Sequence, residues 1–157
     1  MKERGDQAAL IFISTETDQE ITYTYKQLHA EVQRMAASLK SLGVKKGDRV
    51  LIYMPMIAEA SFAMLACARI GAIHSVVFGG FASGSLASRI EDASPKVIVS
   101  ADAGSRGGKV VEYKPLLDEA IRLSAHKPES VILVDRGLAK MALTAGRDVL
   151  WSNLRDQ

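Results

Sequence analysis

Cysteine is almost missing from this sequence, and the single Cys67 excludes an intrachain disulfide framework. That residue lies in the apolar run Phe62-Ala63-Met64-Leu65-Ala66-Cys67-Ala68, the setting of an inert buried thiol. Long unbroken apolar stretches are missing too, because Glu59 and Arg69 interrupt the longest of them well short of a transmembrane span. The opening residues Met1-Lys2-Glu3-Arg4-Gly5-Asp6 are charged and hold no apolar signal-peptide core. Charge of one sign is scarce as well. The net charge is +2 and only Lys45-Lys46 stand adjacent, which leaves no footprint for nucleic acid or a membrane surface. These absences predict a cytoplasmic or matrix-like protein.

Several reaction classes are excluded in the same way. No G-x-G-x-x-G follows a strand-like run, so a nicotinamide or flavin site has little support. No G-x-S-x-G elbow is present, which weighs against an α/β-hydrolase. His29, His74 and His126 are far apart, with no acidic or cysteine partner at ligand spacing, so no metal site is expected. His74 reads as a satisfied core histidine beside a strand.

The 157 residues, 48% of them apolar and 24% charged, suffice for one soluble domain with its own core, and 1–157 reads as a single domain. Residues 8–13 and 21–23 are strand-like, and the polar link 14–20 suits a hairpin. Thr24 is a plausible N-cap for a helix whose apolar set is Tyr25, Leu28, Val32, Met35, Ala36, Leu39 and Leu42. Gly43 then fits a left-handed helix end. Strands are expected at 49–53, 73–78, 96–100 and 130–134, and helices at 83–92 and 113–124. Residues 57–70 are apolar almost all round, which predicts a helix buried on several sides with Leu65 in the core. The tail from Arg136 is less regular, with a last helix near Trp151. Alternating strands and helices predict an α/β fold: a largely parallel sheet covered by helices on both faces, preceded by a β-hairpin.

Two glycine clusters follow strands and are the only candidate sites. One is Val76-Val77-Phe78-Gly79-Gly80-Phe81-Ala82-Ser83-Gly84, the other Ser100-Ala101-Asp102-Ala103-Gly104-Ser105-Arg106-Gly107-Gly108-Lys109. Both fall where the carboxyl ends of parallel strands face a ligand crevice. Glycines admit a phosphate close to the backbone, and Arg106 and Lys109 can neutralise it. A Walker loop is rejected, since Gly would have to replace Ala103 and Ser or Thr would have to replace Val110. On spacing alone, each cluster reads more simply as a turn that needs positive φ, with Arg106 and Lys109 solvated and with Phe78 and Phe81 packed in the core.

Longer runs carry a resemblance. Residues 53–60 and 64–81, which include Ala66-Cys67-Ala68-Arg69-Ile70-Gly71-Ala72-Ile73-His74-Ser75-Val76-Val77-Phe78-Gly79-Gly80-Phe81, resemble the short-chain acyl-CoA synthetases of the adenylate-forming superfamily. Thr22-Tyr23-Thr24-Tyr25-Lys26-Gln27-Leu28 and Gly47-Asp48-Arg49-Val50 fit the same family. The stretches 100–113, 134–140 and 145–148 are similar to its propionate-activating branch.

The resemblance implies an acid–thiol ligase acting on propionate or acetate with Mg2+, ATP and coenzyme A, through an acyl-adenylate, with release of AMP and pyrophosphate. It implies that Phe78, Gly79 and Gly80 lie by the adenine of CoA. It also implies that Arg106, Gly107, Gly108 and Lys109 approach its 3′-phosphate, with Lys109 where many relatives have the bidentate Arg. The family's Ser/Thr/Gly-rich phosphate loop ending in Pro-Lys-Gly, its carboxylate pocket and its catalytic lysine are not among these residues. The resemblance therefore implies part of the first subdomain of the N-terminal AMP-binding domain, without catalytic residues of its own. A cut sheet is expected to expose an apolar edge and to favour self-association. Two other readings stay open: a CoA- or nucleotide-binding module without chemistry, and an interaction domain whose glycine turns are structural.

Overall fold

The computed structural model describes residues 3–156. Strand β1 (Ala8–Ser14) and β2 (Gln19–Thr24) form an antiparallel hairpin in register Ser14↔Gln19. Thr24 then caps α1 (Tyr25–Ser41). Its Oγ1 accepts the Gln27 N–H at 3.3 Å and Gln27 Oε1 accepts the Thr24 N–H at 2.8 Å, so two orphan helix donors are satisfied together.

The main sheet is built from β3 (Arg49–Met54), β4 (Ile73–Phe78), β5 (Val97–Ala101), β8 (Ser130–Val134) and β9 (Asp148–Leu150), all parallel, in the order β4-β3-β5-β8-β9. Between β5 and β8 lies a separate antiparallel hairpin, β6 (Ala103–Arg106) and β7 (Lys109–Glu112). The period of two along β3 divides the core. Val50, Ile52 and Met54 point to the face covered by α1, α2 (Ala58–Ile70) and Trp151 of α5 (Trp151–Arg155). Leu51 and Tyr53 point to the face covered by α3 (Ser83–Ala93) and α4 (Tyr113–Leu123). The expected α/β architecture is thus observed, with α2 and α3 placed on opposite faces by this alternation.

Two expectations are corrected, and one strand is added. Leu65 is 45% exposed, because α2 buries only the side that carries Phe62, Ala63, Ala66 and Cys67 against the sheet. An all-round apolar sequence does not select a face. His74 is exposed on the edge strand β4 and is no core histidine. The tail after β8 is irregular to residue 147 and ends in α5 at Trp151, as expected, but it also adds a strand, β9, that was not expected. Asp148 pairs in register with Val131, and its carboxylate, fully buried, meets Lys114 at 3.0 Å and Arg147 at 2.6 Å. Burial opposes ionisation of Asp148, but hydrogen bonds from Arg147, the Thr144 amide and Lys114 outweigh it and hold the carboxyl below the usual range. Lys114 also pairs with Asp118, so α4 and β9 are riveted by charges that no local pattern announces.

Cys67 is fully buried and burial pushes its thiol up to about 11, as expected of an inert core residue. The edge strand β4 leaves Ile73, Val76 and Phe78 exposed. No helix among the described residues is long and apolar enough to cross a membrane.

Candidate functional site

β3 sends its chain to α2 on one face of the sheet, while β4 and β5 lead to α3 and α4 on the other. A cleft of about 660 Å³ opens beyond the carboxyl ends of these three strands. That is where ligands meet an open α/β sheet, and the volume suits a small molecule or part of a larger one. Met54, Pro55 and Met56 line it from β3, Phe78 to Ala82 from β4, and Gly104, Ser105 and Arg106 from β6.

The two glycine clusters therefore meet, for different reasons. Gly79 and Gly80 do form a turn, closed by the Phe81 N–H to the Phe78 carbonyl at 3.2 Å, but neither has the positive φ that was expected. Side-chain crowding explains them instead. A Cβ on Gly79 would run into the Tyr113 hydroxyl, and one on Gly80 would strike the Phe78 ring and stand 3.1 Å from Arg106 Nη1. Gly104 is constrained alike, its Cβ position lying 3.0 Å from the Tyr113 hydroxyl oxygen. Gly107 and Gly108 do have positive φ, at 59° and 75°, which a tight two-residue hairpin turn demands. This second cluster is thus no open loop. It is a hairpin that sets Arg106 directly opposite Lys109. Arg106 lines the cleft with Phe78, Gly79 and Gly80, whereas Gly107, Gly108 and Lys109 form the turn and outer strand and do not line it.

Phe78 is 66% exposed and stands edge-on to Phe81 at 5.9 Å, so it is not the core residue that its apolar neighbours suggest. The Arg89 guanidinium lies 4.1 Å over the Phe81 ring and holds that ring from the far side. Beneath the cleft Tyr53 and Tyr113 pack at 5.0 Å. Burial and then the neighbouring Tyr113 push Tyr53 up to about 12, and burial raises Tyr113 as well, so both phenols stay neutral near pH 7.

Residues that sequence reading did not single out hold this geometry. Asp102, fully buried after β5, accepts the Ala103 N–H at 2.7 Å and the Leu138 N–H at 2.7 Å, while its own carbonyl receives the Tyr113 N–H at 2.9 Å. It ties β5, α4 and the loop after β8 into one frame. Glu16 reaches the cleft from the β1–β2 turn, where nothing in the polar link 14–20 marks it. Among the described residues no group of three or more His, Cys, Asp or Glu is placed to hold a metal ion. In the sequence the one available signal was an aspartate, Asp102, inside a glycine cluster, and it points to architecture as readily as to chemistry.

Comparison with known proteins fits this layout. Residues 1–152 match the family described as "AMP-binding enzyme". The chain belongs to the AMP-binding enzyme family. It is 62% identical over 157 residues to a propionate–CoA ligase of Escherichia coli (strain K12), covering 100% of this chain and 25% of that protein. It is 66% identical over 149 residues to a propionate–CoA ligase of Salmonella typhimurium (strain LT2), covering 95% of this chain and 24% of that protein. The chain thus spans about a quarter of the length of these curated relatives. Among solved structures it superimposes on an acetoacetyl-CoA synthetase from Streptomyces lividans with a TM-score of 0.86 and 28% identity, over 99% of this chain and 23% of that one.

Proposed function

We propose that this chain is part of the N-terminal AMP-binding domain of a cytoplasmic, AMP-forming propionate–CoA ligase. The whole enzyme joins propionate to coenzyme A with ATP and Mg2+, by way of an acyl-adenylate. Support comes from two relatives named as propionate–CoA ligases that are above 60% identical over nearly the whole chain. The observation that carries the site is the meeting of Phe78, Gly79, Gly80 and Arg106 in one cleft at the carboxyl edge of the sheet. The cleft suits the adenine end of CoA. It offers an exposed aromatic ring for a base and, beside Gly80, a guanidinium for a phosphate.

Nothing in the cleft can activate an acid. Among the described residues that line it, the one phenol, Tyr113, stays neutral near pH 7, and there is no lysine and no phosphate loop. Adenylation therefore needs chain outside these residues. Carboxylate-dependent exchange of pyrophosphate into ATP, measured on this chain with acetate, propionate and butyrate, stays at background, while the full-length protein exchanges best with propionate. Reproducible exchange by this chain alone refutes the division of labour.

As an isolated piece the chain self-associates through β4, an uncharged edge strand with Val76 56% exposed. Sedimentation velocity should show concentration-dependent association that Val76→Lys suppresses, and a wild-type chain that stays monomeric removes this proposal.

A further inference from the structure

Four-residue strands joined by a two-glycine turn do not hold a shape alone, since an isolated hairpin is marginal at best in water. The direction of Arg106 is therefore decided by whatever anchors β6. The anchor is a charged pair from two remote segments. Glu16 Oε1 accepts the Ser105 N–H at 2.5 Å, across 89 residues of sequence. Glu16 Oε2 accepts from Arg136 Nη2 at 2.5 Å, across 120 residues. Arg136 Nη1 donates in turn to the Ala103 carbonyl at 2.9 Å. Two of these three bonds end on the β6 backbone, one of them on the residue just before Arg106.

The pair is suited to fixing geometry. The Arg136 side chain is 8% exposed and that of Glu16 20% exposed, so water competes weakly for these charge-assisted bonds. The guanidinium is planar and both its terminal nitrogens are engaged, which sets the carboxylate at a defined angle to β6. Arg106 itself is exposed and has the freedom of a long side chain unless its strand is held.

We propose that Glu16 and Arg136 are positioning residues for Arg106. Their ion pair couples the β1–β2 turn and the loop after β8 to the hairpin, and so presets the guanidinium toward a phosphate in the cleft. The inference rests on the reading of Arg106 as the contact to the CoA 3′-phosphate.

The test uses the full-length protein with CoA and dephospho-CoA, which lacks that phosphate. Glu16→Gln keeps the side-chain shape and removes the charge. It should raise the KM for CoA roughly three- to tenfold, a fraction of the ten- to hundredfold expected for losing Arg106 itself, and leave that for dephospho-CoA near wild type. Arg136→Lys should shift the ratio the same way, because a point charge cannot reach both partners. On an Arg106→Ala background Glu16→Gln should add no further discrimination. In this chain, amide exchange over 103–112 should quicken in Glu16→Gln while β3 and β5 stay protected. An altered CoA to dephospho-CoA ratio in Arg106→Ala but not in Glu16→Gln overturns the clamp alone. Equal losses for both ligands, or faster exchange spreading into β3 and β5, make the pair a general stabiliser and also overturn it. A wild-type ratio in Arg106→Ala overturns the CoA reading, and the clamp's role in it.

Discussion

Arg106→Ala in the full-length enzyme should raise the apparent KM for CoA by roughly ten- to a hundredfold, while leaving acyl-adenylate formation nearly intact. The magnitude follows from the contact proposed above. A charge-assisted hydrogen-bonded pair contributes on the order of 1.5–3 kcal/mol, and each 1.4 kcal/mol is about tenfold in affinity. The placement follows from the hairpin. β6 delivers Arg106 to the cleft, and Gly80 leaves space for its Nη1 where any side chain would crowd it. A guanidinium so placed can meet two phosphate oxygens at once. Lys109 faces Arg106 across the turn without lining the cleft. Lys109→Ala should therefore cost less and act through long-range attraction that added salt screens. Dephospho-CoA is the discriminating ligand. If Arg106→Ala weakens it as much as CoA, Arg106 supports the hairpin and does not read the phosphate.

The largest expected stability effect lies on α2, where two apolar residues three apart should behave differently. Phe62 is 2% exposed, and Tyr23 of the N-terminal hairpin meets its ring edge-on at 5.3 Å. Phe62→Ala should cost about 3–5 kcal/mol, because it empties a packed site and unseats β2 together. Leu65→Ala, at a position 45% exposed, should stay within about 0.5 kcal/mol of wild type. Urea unfolding of the two variants measures the contrast. Comparable losses would mean that α2 is buried all round, and would break the two-faced layering described above.

Much of the frame was legible because its signals are local. Thr24 before a 3.6-residue apolar pattern announces α1, Gly43 and Gly71 mark helix ends, and Val-Leu-Ile runs announce buried parallel strands. The order of strand and helix then implies the layered sheet, and with it the edge on which ligands bind. Phe78 to Gly80 and Arg106 were legible as candidates for the same reason, since each follows a strand. The hairpin of β6 and β7 was not. Its strands are only four residues long, Ala103-Gly104-Ser105-Arg106 and Lys109-Val110-Val111-Glu112, and two glycines join them, so neither alternation nor apolar content distinguishes them from a loop.

By itself, the sequence determined the α/β class, the element order, the family likeness and the two glycine clusters, because each depends on residues near one another in the chain. Only the tertiary structure decided which face of α2 is buried, that Phe78 stands in the open, and that Gly79 and Gly80 answer to crowding by Tyr113, Phe78 and Arg106 rather than to positive φ. It alone joined Glu16, Ser105 and Arg136, and Lys114 with Asp148. Those choices depend on which surfaces and charges meet after the strands have paired, and partners 34 to 120 residues apart leave no periodicity for a local pattern to carry.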